Sequence, residues 1–201
     1  MTAGVVGSLV VATGFVAVTT PTASAAPRIA FPGYISCSAI AGNVKFSTPI
    51  APGKSTPATA TITLRISDCV GTIGTTLPGT LTGVLKATTA LERMDCQDLT
   101  TSELAGPGSG SIKWQMAGEK LAPSLVTWPD FDTAEISWNG FYPNRAHFIF
   151  GQVTGSFANG DRGALGVPYT VTPQALATAC TSTGIRSIRL GSSTGFTGLV
   201  L

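Results

Sequence analysis

Charge is what this sequence has least of. Asp, Glu, Lys and Arg make up 11% of the chain, the formal net charge is +2, and the basic residues are scattered singly. A nucleic-acid surface needs clustered cations to displace counterions from phosphates, so that class of partner is set aside. His147 is the only histidine and the cysteines include no C-x-x-C pair. The usual zinc ligand sets cannot be assembled from these residues, and no metal or other cofactor is expected. The glycine run Gly106–Gly110 lacks the Gly-Lys-Ser/Thr ending of a phosphate loop. Long helix-forming runs are missing too. What remains is a chain rich in Gly and Thr with many short apolar stretches, which is unlike the polar, charge-rich composition of disordered proteins.

The longest apolar run, Val5 to Val18, is broken by Gly7 and Gly14. It falls short of the roughly 20 residues that a membrane-spanning helix needs. Residues 1–26 carry no charged side chain, and Thr22-Ala23-Ser24-Ala25 places small residues before Ala26 in an A-x-A-like pattern. This is the pattern of a secretory leader. No Lys or Arg precedes the run, so either the α-amino group supplies the positive charge or the true start lies upstream. The expected organisation is a signal peptide over 1–25 and a single disulfide-bonded β-domain over 26–201. The mature chain then has no transmembrane span and is secreted or held at the cell envelope.

In an oxidising compartment the even set Cys37, Cys69, Cys96 and Cys180 predicts two disulfides. Strand polarity selects among the three pairings. Val44 and Phe46 alternate with polar neighbours in a short first strand, and Thr48 to Pro57, with three prolines and a glycine, reads as a loop. From Ala58 to Ser67 every even position is apolar and every odd one polar, the mark of a strand with one buried and one wet face. If the two strands pair antiparallel, Cys37 and Cys69 lie at the same end. That predicts Cys37–Cys69, leaving Cys96–Cys180 to close a loop of about 85 residues, worth roughly 4 kcal/mol in the chain-entropy model.

Further strands are expected over Gly79–Thr88, around Ile112–Met116 and Leu125–Trp128, through Val167–Val171, and over Ile185–Leu190 and Thr194–Leu201. Gly83 falls on the apolar face of its strand, a sign of a bulge or of close packing. The polar segment Ala90–Leu104 has room for a helical turn. Thr172-Pro173 is a helix start, with Thr as N-cap and Pro at the first helical position. The predicted class is all-β, an antiparallel β-sandwich of about 8–10 strands with one or two short helical turns, the alternative being a closed β-barrel.

One group of motifs recurs together. It comprises Cys37, the Ser47-Thr48-Pro49-Ile50 stretch, Asp68-Cys69-Val70-Gly71, Gly79–Gly83, Gly110–Trp114, Gly151–Phe157 and the late Cys180 followed by Gly184. In this the chain resembles small secreted actinobacterial proteins of unassigned function. The resemblance implies a secreted β-domain with two disulfides and carries over no catalytic residue.

The stretch from Thr133 to Phe157 holds six of the fifteen Phe, Trp and Tyr residues and His147. It predicts a central hairpin in which Ala134, Ile136 and Trp138 face Phe148 and Phe150 across a connection containing Asn139-Gly140 and Pro143-Asn144. Most of its aromatics then belong to the scaffold. The rim that remains is Trp128, Asp130, Phe131, Asp132, Phe141, Tyr142 and Arg145, where exposed rings could stack on a carbohydrate or wall polymer. Two other functions are weighed against that binding role. One is a barrel carrying a small hydrophobic ligand. The other is a hydrolase using Asp130, Asp132 and Glu135, since glycosidases work with paired carboxyls. Gly191–Gly195 matches G-x-S-x-G, but a nucleophile elbow needs an acid and a histidine later in the chain, and neither follows. His147 reads as an ordinary hairpin histidine. The expectation is therefore a non-enzymatic binding domain.

Overall fold

The computed structural model describes residues 30, 33–53, 56–71, 80–96, 99, 103–104, 106–128, 140–142, 145–157, 163–191 and 198–201. In chain order the strands begin with β1 (Ile35–Ile50), β2 (Thr56–Gly71), β3 (Leu81–Met94), β4 (Glu103–Leu104), β5 (Gly108–Met116) and β6 (Ser124–Trp128). They continue with β7 (Gly140–Tyr142), β8 (Arg145–Phe150), β9 (Gln152–Gly155) and β10 (Gly163–Pro168). The helix α1 (Pro173–Ser182) precedes β11 (Ile185–Gly191) and β12 (Gly198–Val200).

Period-two alternation produces β2 as expected. Ala58, Ala60, Ile62, Leu64 and Ile66 are buried, and the Thr and Arg residues between them face outward. The first strand is much longer than its visible alternation, because β1 is paired on both sides. Its ladder with β2 runs from Ile35 opposite Gly71 to Phe46 opposite Ala60. On its other edge it meets β12 at Ser36 and Cys37, then β11 from Ala41 to Ile50. The predicted Thr48–Pro57 loop shrinks accordingly. Two of the prolines that suggested it sit at ladder irregularities, Pro49 between Lys45 and Ile50 and Pro57 at the Thr56/Ala58 shift. Proline has no N–H to donate, so a sheet tolerates it at such places.

All ladders are antiparallel, and the path runs β4-β7-β8-β10-β12-β1-β2-β3-β5-β6-β9 with β11 also on β1. Its two long arms end on one length of chain. β8 pairs with β10, β9 pairs with β6, and only Gly151 separates them. The Gly151 N–H donates to the Thr127 carbonyl at 2.7 Å, continuing the β6 ladder. One sheet thus rolls nearly into a barrel, and β7 with β4 extends it beyond β8 at one end. The all-β antiparallel class is as the alternation predicts. Hydrogen bonding is continuous through the sheet, which brings the architecture closer to the barrel alternative than to two separate layers.

The core is a single cluster in which Phe148, Phe150 and Phe157 are among the largest fully buried side chains. Leu201 is buried, and its N–H and C=O exchange 3.1 Å hydrogen bonds with Ile35, so the C-terminal strand lies inside the sheet. Both predicted disulfides are present, and the described residues include no free cysteine. Cys37 and Cys69 are directly opposite one another on β1 and β2. Cys96, just after β3, holds Cys180 of α1. That helix starts where expected, with Thr172 Oγ1 accepting from the Ala175 N–H at 3.2 Å and Pro173 in its first turn. The barrel therefore has a Cys37 end and a helix end.

Candidate functional site

The aromatic rim does not assemble as predicted. Trp128 is a core residue, 3% exposed, so its place in a solvent-facing rim is corrected. Ser124, Val126 and Trp128 share the inward parity of β6, while Leu125 and Thr127 point out. The indole ring centroid lies 5.1 Å from Phe148 and 6.0 Å from Phe150. It fits because the residue opposite is Gly108, where an added Cβ would overlap the indole ring. Its Nε1–H donates to Thr89 Oγ1 at 3.4 Å, and the Thr89 hydroxyl donates to the Gly106 carbonyl at 2.6 Å.

Of the remaining rim residues, Phe141 and Tyr142 belong to β7, opposite Ala146 and Arg145, and Arg145 is exposed on β8. Asp130, Phe131 and Asp132 lie outside the described residues, as do Glu135 and Ala134–Trp138. β7 and β8 pair antiparallel, with Gly140 opposite His147 and Tyr142 opposite Arg145, so Gly140 belongs to a strand rather than to the predicted connection; the predicted partner run Ala134–Trp138 and Pro143-Asn144 lie outside the described residues. His147 and Ile149 are half-buried on the face opposite Phe148 and Phe150. Gly191 closes β11, and the rest of the G-x-S-x-G match lies outside the described residues.

The other described tryptophan repeats the Trp128 arrangement toward the Cys37 end. Trp114, 6% exposed, lies opposite Gly83, where a Cβ would stand 2.8 Å from two ring carbons. Close packing is thus the reason for Gly83. The Trp114 Nε1–H donates to Ser124 Oγ at 2.7 Å, Ser124 donates to the Ser156 carbonyl, and Phe157 meets the indole edge-on at 5.1 Å. Thr89, Ser124 and Ser156 are the buried polar residues among those described; the relays engage the Thr89 and Ser124 hydroxyls and the Ser156 backbone carbonyl. Tyr169 differs. Its hydroxyl is buried without a hydrogen-bond partner among the described residues, and burial raises its ionisation well above the usual 10.0.

A depression of about 810 Å3 opens at the Cys37 end where β3 and β5 meet the β5–β6 turn. Gly118, at φ 82°, forms that turn, and the Glu119 N–H closes it on the Met116 carbonyl at 3.2 Å. The outward parity of β3 and β5 supplies Thr80, Thr82, Lys113 and Gln115, with Thr82 directly opposite Gln115. Glu119 and Lys120 come from the turn, and buried Trp114, Met116 and Leu121 form the apolar lining. No salt bridge engages Lys113, Glu119 or Lys120 among the described residues.

A smaller hollow of about 290 Å3 lies beside α1, lined by Val171, Leu176, Ala179, Ile185 and Arg186 among others. Among the described residues no three His, Cys, Asp or Glu side chains come together as a metal would require.

Sequence reasoning missed the cleft because no motif marks it. Its polar residues are the solvent-facing half of two ordinary strands, and only the β5–β6 turn folding beside them makes a concavity. The alternation Ile112, Trp114, Met116 did carry the signal that Lys113 and Gln115 point outward. No family model matches the chain, and no curated protein and no solved structure matches it significantly.

Proposed function

We propose that this is an exported β-domain that works by binding rather than by catalysis, with a carbohydrate or wall polymer as its ligand. The observation that carries the reading is the chemistry of the cleft. Hydroxyls of Thr80 and Thr82, the Gln115 amide, and the charged ends of Lys113, Glu119 and Lys120 line about 810 Å3 of open space. Such groups exchange hydrogen bonds readily with a polyhydroxyl ligand, and the volume falls within the range of small-ligand sites. The two disulfides fit an oxidising compartment, and no described helix is long and apolar enough to cross a membrane. The leader-like pattern of residues 1–25 and the resemblance to secreted actinobacterial proteins point the same way. A ligand carried inside the barrel is the poorer reading, because Phe148, Phe150, Phe157, Trp114 and Trp128 occupy the core.

Titration with a soluble wall polysaccharide, followed by tryptophan fluorescence, tests this reading. A response weakened by Thr82→Ala with Gln115→Ala, and retained in Trp138→Phe, is expected. A response abolished by Trp138→Phe and untouched by the cleft variants would move the site to the loop rim. The absence of binding to any polysaccharide would reject the proposal.

A further inference from the structure

We infer that the cleft beside the β5–β6 turn selects an acidic polysaccharide, with Lys113 and Lys120 as its charge contacts. This deepens the binding role proposed above and rests on it. The cleft holds two ammonium groups against one carboxylate, Glu119, in a chain whose charged residues are otherwise sparse. Lys113 and Lys120 are both exposed, and neither is held by a salt bridge to a described residue. An ammonium without an ionic partner is free to meet an incoming carboxylate without first breaking a protein contact. Lys113 reaches the cleft from a paired strand and Lys120 from a turn closed by a backbone hydrogen bond, so their backbone positions are set before a ligand arrives.

The surroundings favour a sugar bearing the charge over a bare anion. Thr80, Thr82 and Gln115 offer donors and acceptors that an acidic polysaccharide can use along its hydroxyls, and a simple inorganic anion cannot use all of them. Because the contacts are solvent-exposed, their strength falls as salt screens them.

Calorimetric titration of the disulfide-bonded chain with polygalacturonate, dextran and inorganic polyphosphate tests this assignment. Polygalacturonate is expected to bind more tightly than the other two, and to weaken markedly between about 20 and about 300 mM salt. Lys113→Gln with Lys120→Gln should cost about tenfold or more in affinity. The same exchange at Lys45 and Lys86, which are exposed elsewhere on the sheet, should cost little. Equal, salt-insensitive binding of dextran would overturn the charge selectivity while leaving the proposed function standing. Polyphosphate binding as tightly as polygalacturonate would overturn the sugar half of the inference. An equal loss in the Lys45 and Lys86 variant would overturn the assignment to the cleft, and no binding of either polysaccharide would overturn both proposals.

Discussion

The two ends of the barrel solve the same packing problem with different security. Each seats a tryptophan against a cross-strand glycine and ties its indole N–H to a buried hydroxyl. At the Cys37 end the Trp114–Ser124 bond is 2.7 Å, and the disulfide joins residues already opposite in a long ladder. At the helix end the Trp128–Thr89 contact is 3.4 Å, and the disulfide joins α1 to the segment after β3. Only Leu176 and Cys180 of the ten helix residues are buried, so the disulfide carries much of what fixes the helix in place. The Cys37 end is held by its sheet; the helix end depends on one cross-link and a few side chains.

Removing the cross-links breaks this comparison most sharply. Cys96→Ser with Cys180→Ser is expected to cost about 4 kcal/mol, and Cys37→Ser with Cys69→Ser about 3.5 kcal/mol, by loop-closure entropy. The two should differ more in hydrogen exchange than in chemical denaturation. The amides of α1 should exchange much faster in the first variant, while β1 and β2 should keep their protection in the second. Equal protection of α1 with and without its disulfide would show that the helix is held by packing.

The glycine seats come next. Gly108→Ala drives a Cβ into the Trp128 ring and should destabilise by about 3 kcal/mol, since a filled core has nowhere to move an indole. Gly83→Ala meets Trp114 at 2.8 Å and should cost about 1 kcal/mol. Denaturation midpoints at constant slope measure the difference. The hydroxyls follow. Ser124→Ala strands both the Trp114 N–H and the Ser156 carbonyl, and Thr89→Val strands both the Trp128 N–H and the Gly106 carbonyl, so each should cost about 2 kcal/mol.

Tyr169 gives the smallest effect near neutral pH. Its hydroxyl has no described partner to lose, so Tyr169→Phe should change stability by no more than about 1 kcal/mol there. The difference emerges in alkali. An unfolded phenol ionises near 10.0, whereas burial keeps the folded one protonated. The unfolded state then binds fewer protons, and wild-type stability should fall by about 1.4 kcal/mol per pH unit above about pH 10 from this group. Tyr169→Phe should remove that part of the slope. An unchanged slope would show that the phenol ionises normally in the folded protein.

Much of the fold was legible because sheet faces follow a local rule. The even-odd pattern of Ala58–Ser67 named the buried side of β2, and strand polarity named both disulfides. Thr172-Pro173 announced α1. The length of β1 was not legible, since small residues blur its alternation and its partners come from far along the chain. The candidate cleft was legible only in part, in the outward parity of Lys113 and Gln115.

Trp128 shows where local reading stops. Its parity with Val126 was visible in the sequence, but whether an inward indole has room depends on what stands opposite, and Gly108 is brought there only by the β5–β6 ladder. The sequence by itself determined the strand faces, the cysteine pairs and the helix start, because each rests on neighbours a few residues apart or on simple strand polarity. Only the tertiary structure decided that the sheet rolls up across Gly151, that Trp128 leaves the surface for the core, and that Thr80, Thr82, Lys113, Gln115 and Lys120 share one concavity. Those outcomes depend on which distant strands become neighbours, and side-chain period alone carries no information about that.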